Sequence, residues 1–108
     1  MIVEPTIEAL GDGVARVTWA GLQSGDSGAW MALPRYRDKT VTVEGTSVTT
    51  FALQGSNYPG GDAPRTLNDV DNTTAIDAAG MYVVKENPLL IRPLLTTGQD
   101  VTVIVVAK

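Results

Sequence analysis

Side chains able to do chemistry are scarce in this chain of 108 residues. It has no histidine and no cysteine. That removes the commonest general base, the usual zinc ligand, thiolate metal sites and every histidine-centred nucleophile triad. Asp69, Asp71 and Asp77 lie close in sequence, and paired carboxylates are what a hydrolase or a calcium site would use. The stretch DVDNTTAID nevertheless lacks the glycine at the sixth position and the terminal glutamate of a calcium loop. These residues read as turn caps, since Asp and Asn bond their own backbone in turns. GLQSGDSG at 21–28 scatters glycines without the GxxxxGK[ST] order of a phosphate loop. Asn72-Thr73-Thr74 fits a glycosylation acceptor by spelling alone. The expectation is a non-enzymatic protein with no catalytic, cofactor-binding or metal-ligating set.

Two groups of residues suit recognition better than catalysis. Asn57 and Tyr58 precede Pro59 and suit a loop tip of the kind where aromatics meet sugars, so a carbohydrate-binding or adhesion module stays open. From Leu22 to Asp38 about 17 residues run without strand periodicity, and ordered loops of that length in compact domains are usually functional. Disorder would forfeit the apolar burial of Trp30, Met31, Leu33 and Tyr36. Tryptophan, tyrosine and arginine are the residues enriched at interface anchors, which makes Trp30, Met31, Arg35, Tyr36 and Arg37 candidates for partner contact. The competing reading folds Trp30 and Leu33 back as a lid on the end of the domain. Arg35, Arg37 and Lys39 are three of eight basic residues and form either a local positive spot or a solvated turn paired with Asp38.

The elements that must position these residues are strands. Valine and threonine make up about a quarter of the chain, and Gly and Pro punctuate it at short intervals, as in a β-sandwich or jelly roll. Alternation marks GVARVTWAG (13–21), with Ala15, Val17 and Trp19 on one face, KTVTVEG (39–45), with Val41 and Val43, and SVTTFALQG (47–55), with Phe51 and Leu53. Further strands are expected at 2–8, broken at Pro5, and at 73–78, 81–86, 89–95 and 100–107. Turns are expected at Thr46-Ser47, Ala79-Gly80 and Thr97-Gly98, and Pro93 is assigned to an edge strand or a bulge because it lacks a ladder donor. The count of about eight strands predicts one all-β antiparallel sandwich or jelly-roll domain over 1–108. In the last strand Val101, Val103 and Val105 form the core face. Ile104 and Val106 make the opposite face apolar too, either because the chain covers itself or because a second subunit packs there.

Composition narrows the partners. A net charge of −4 argues against broad nucleic-acid binding. MIVEPTIEALGDG carries two glutamates and a proline where a signal peptide would have a basic start and an apolar run, and no segment has 18 continuous apolar residues. Neither export by its own signal nor a membrane span is expected.

The order VTWAGLQSGDSGAWMALPRYRDKTVTVEG, then LQGSN, TLND, AAGMYVV and IRPLLTTGQDVTVIVVAK resembles the capsid decoration, or cement, proteins of tailed bacteriophages. The shared pattern is W-x-G-L-x-x-G-D-x-G before a proline-containing loop, a Q-G-S-N turn, an I/V-R-P strand and a valine-rich final strand, from about Ala15 to the end. It departs from that pattern at Tyr58–Gly61. The resemblance implies a β-sandwich or jelly roll clustered as dimers or trimers on the outer surface of a virion and binding the major capsid protein. It also leaves room for a structural subunit of the tail or neck.

Overall fold

The structure is a computed structural model that describes residues 1–45, 47–68, 76–84 and 86–108, with the backbone alone for 47–49. Where the sequence alternates, strands form and bury every second residue. β3 (Val14–Leu22), β6 (Lys39–Glu44) and β11 (Val101–Ala107) do so throughout their central stretches. With β2 (Thr6–Gly11) and β9 (Gly80–Val84) they form an antiparallel sheet in the order β2-β3-β11-β6-β9.

The facing sheet is built on the pairing of β7 (Ser47–Ser56) with β10 (Leu90–Gln99), from Leu90↔Ser56 to Gln99↔Ser47. Around this pair run β1 (Ile2–Val3), β4 (Ser27–Gly28) and β8 (Arg65–Thr66) in the order β1-β4-β10-β7-β8, and β5 (Met31–Ala32) also pairs with β10. The fold is all-β and two-layered, as the alternation predicts.

The core lies between the sheets. Val17, Trp19, Val41, Val43, Val103 and Val105 from one layer meet Phe51, Leu53, Ile91 and Leu95 from the other, and Leu33, Leu67 and Ile76 close the ends. Fully burying each such side chain contributes about 1.5–3 kcal/mol, which must hold together a domain without disulfides.

Several local expectations are corrected. The segment 22–38 is not strand-free, because β4 and β5 give β10 two short partners. Pro93 is on neither an edge strand nor a bulge. It pairs with Leu53 inside β10, and the missing N–H is tolerated because it falls between the β5 contacts at Leu90 and Ile91 and the β4 contact at Leu94. The last turn is at Asp100, with φ of 49°, and Thr97-Gly98 is instead an irregularity within β10. The amino-terminal strand divides at Pro5, β1 going to one sheet and β2 to the other. The expected strand at 73–78 falls largely outside the described residues, as do the Asp69 and Asp71 caps, the Asn72 triplet and Thr46. Ile76–Ala78 is not strand.

Candidate functional site

The glycine-rich motif at 21–28 is architectural. The Asp26 carboxylate accepts the Gln23 N–H at 2.9 Å and lies 3.3 Å from the Met1 ammonium. The Gln23 hydrogen bond holds the Asp26 carboxyl below its ordinary value, against the opposing effect of burial. The Ser24 hydroxyl donates to the Gly98 carbonyl and accepts the Gly98 N–H, and Gln23 Nε2 donates to Asp100 Oδ1 at 2.6 Å. Gly28 leaves no room for a side chain, since a Cβ there would lie 2.5 Å from both Trp19 and Pro93. Trp19 Nε1 donates to the Ala29 carbonyl at 3.1 Å. The W-x-G-L-x-x-G-D-x-G and I-R-P patterns therefore describe one packed joint around Trp19.

Trp30 has a different setting. It is half-buried and lies outside the core cluster, over the outward face of the β7–β10 pair. The Arg92 guanidinium stands 4.4 Å from its ring centroid and is itself oriented by Arg92 Nε donating to Gln54 Oε1 at 2.9 Å. The 58–61 turn packs against the ring near Nε1, where a Cβ on Gly61 would clash with the indole. The lid reading therefore divides. Leu33 joins the core at 3 % exposure, whereas Trp30 covers a sheet face. Arg92 and Gly61 were not singled out in the sequence, although alternation around Ile91 already turns Arg92 outward.

The remaining contact candidates lie toward one end of the sandwich. Met31 and Tyr36 are half-buried and give part of their surface to the core. Arg35 stacks on the Tyr36 ring at 4.9 Å and donates from Nη2 to its hydroxyl at 2.8 Å, and Arg37 is exposed. Lys39 does not belong to a positive spot, because it is buried to 1 % exposure on the Val41 side of β6. Its Nζ donates to the Tyr36 carbonyl at 2.7 Å and to Asn87 Oδ1 at 2.6 Å, while Asn87 Nδ2 donates to the Pro34 carbonyl. Burial lowers the Lys39 pKa, partly offset by Asp38. Lysine is here a staple between the 33–38 loop and the 86–88 segment.

Tyr58 sits on a firmly built turn. Pro59 and Gly61 occupy the second and fourth positions, and the Gly61 N–H donates to the Tyr58 carbonyl at 2.9 Å. The Ser56 hydroxyl donates to the Asp62 carbonyl and accepts the Tyr58 N–H, and Asn57 Oδ1 accepts the Leu89 N–H. Beside the turn a cleft of about 450 Å³ opens, with Tyr58, Arg65 and Glu86 among its walls.

On the opposite sheet Ile104 and Val106 are half-buried on the outer face of β11. The register sets Ile104 beside Thr18 and Thr42, and Val106 beside Arg16 and Thr40. Met81 and Val83 of the edge strand β9, 72 % and 48 % exposed, continue this face. Among the described residues no three His, Cys, Asp or Glu side chains converge as a metal site.

No protein-family model matches the sequence, and no curated protein does. The fold is similar to that of the SPBc2 prophage-derived protein YomS, with a TM-score of 0.63 and 12% identity over 93% of this chain and 98% of that one. A cupin domain from Bordetella pertussis aligns at a TM-score of 0.48 and 15% identity, covering 96% of this chain and 91% of that one. The likeness to YomS establishes a shared β fold.

Proposed function

We propose that this chain is a non-enzymatic structural protein of a tailed-phage virion that binds the outer surface of the major capsid protein lattice and stabilises the head. The observation that carries this reading is the placement of Trp30. A tryptophan outside the core, stacked with an arginine on a sheet face and fixed by Gly61, has the composition and rigidity of an interface anchor. Met31, Arg35, Tyr36 and Arg37 extend the contact toward the end of the sandwich. Similarity to a prophage-derived protein of nearly equal length supports the phage setting. Subunits that bind only the assembled lattice stabilise it by mass action and multivalency, which requires no chemistry from the subunit.

Copies of the chain associate through the face of Ile104 and Val106. On β9, an edge strand among the described residues, Met81 and Val83 continue that face and are exposed and uncharged. Two copies packed through this face about a two-fold axis bury Ile104, Val106, Met81 and Val83 together.

Co-sedimentation with undecorated heads at micromolar protein tests the reading. Wild type pellets with the heads, Trp30→Ala remains largely in the supernatant while keeping its fold, and failure of the wild type to pellet would reject the proposal.

A further inference from the structure

The geometry points to the cleft beside Tyr58 as a binding site for a neutral saccharide, with one pyranose ring lying against the tyrosine. The cleft, at about 450 Å³, falls within the roughly 300–1,000 Å³ of small-ligand sites. Its lining mixes polar side chains with a few apolar ones. Leu67 and Pro88 close over Gly55, where a Cβ would lie 2.9 Å from Leu67 and 2.6 Å from Pro88.

Ser56, Asn57 and Asn87 in the walls are engaged in the hydrogen bonds given above, but two other polar groups are not. The Arg65 guanidinium and the Tyr58 hydroxyl have no hydrogen-bond or ionic partner among the described residues. Glu86 uses Oε1 to accept the Asn68 N–H at 2.6 Å, and its Oε2 has no partner among the described residues. Tyr58 is 56 % exposed although its turn is held by Ser56, Asn57 and the packing of Gly61 on Trp30. A rigid support under an exposed aromatic is pre-organisation, which lowers the ordering cost of binding.

The charge pattern selects the ligand class. An isolated guanidinium would favour an anion, but Glu86 lines the same cleft and offsets it. One strong donor and one strong acceptor suit the hydroxyls around a neutral pyranose, whose C–H face packs on an aromatic ring. The site adjoins the Trp30 contact, since Gly61 of the same turn packs on Trp30, but saccharide binding is read on the isolated protein and does not require the capsid.

The test is titration of the isotope-labelled protein, followed by its amide NMR spectrum, with the methyl glycosides of glucose, galactose, mannose and N-acetylglucosamine, and with glucuronate. At least one neutral glycoside should give saturable shifts centred on Asn57, Tyr58, Arg65 and Glu86. Tyr58→Ala and Arg65→Ala should each weaken binding about tenfold, a loss of about 1.4 kcal/mol, with the rest of the spectrum unchanged. Tyr58→Phe should bind within about threefold of wild type, because it keeps the stacking face. Absence of shifts with all four glycosides, binding of glucuronate alone, or shifts indifferent to both alanine variants would each overturn the assignment.

Discussion

The two tryptophans illustrate what a side chain's surroundings decide. Trp19 is wholly buried between the sheets, and truncating it to alanine should cost about 3–5 kcal/mol, a large share of the roughly 5–15 kcal/mol that keeps a domain folded. Trp30→Ala removes a cation–π contact and the cover over Gly61, and should cost about 1–2 kcal/mol. Chemical denaturation of both variants measures the difference, and equal losses would return Trp30 to a core role. Gly28→Ala should cost about 1–3 kcal/mol by forcing Trp19 and Pro93 apart. Asp26 adds a pH signature. Its folded carboxyl titrates below the ordinary 3.8, so its contribution is present above that value and is lost as the pH falls through the lower folded one. Asp26→Asn should be less stable than wild type at neutral pH, with the gap closing in acid. At this scale the sequence showed which residue types were unusual. It could not show that the Lys39 ammonium finds partners inside, because Asn87, which receives it beside the nearby Tyr36 carbonyl, lies 48 residues away.

Among the elements, β3, β6, β7 and β11 were legible because each buries alternate residues and so carries its period in its own sequence. β4 and β5 were not, since two residues hold no period and become strand only through pairing with β10. The same dependence explains Pro93, whose central position is tolerated by a gap between those two short strands. The 33–38 loop and the 86–88 segment depend on Lys39, and this yields a test at alkaline pH. Because burial lowers the folded pKa, the unfolded chain holds that proton more tightly, and the Lys39 contribution to stability rises with pH over the interval ending near the ordinary 10.5. Lys39→Met should remove that component from the pH dependence of thermal unfolding. At neutral pH the same variant should lose about 1–3 kcal/mol, because the Tyr36 carbonyl and Asn87 Oδ1 lose their donor.

At the scale of the molecule, the two sheets present different outer faces. One carries Trp30 with Arg92 and the Tyr58 turn, and the other carries Ile104, Val106, Met81 and Val83. A two-layer sandwich separates such faces by its thickness, so one face can meet the shell while the other meets a second copy. Placing lysine on this second face, as in Val83→Lys, should convert a concentration-dependent dimer to monomer in sedimentation equilibrium without loss of fold. A wild type that is monomeric throughout would remove the subunit contact from the account. The sequence conveyed the layers and the outward apolar face of β11. It did not convey that the Trp30 segment and the Tyr58 turn meet, because that encounter is made by Gly61, whose missing side chain leaves no pattern. The most direct measurement is electron cryomicroscopy of undecorated phage heads mixed with the purified protein. The account predicts added density repeating with the lattice on the outer shell surface, contacted through the Trp30 face. Density confined to the tail or neck, or none, would contradict it.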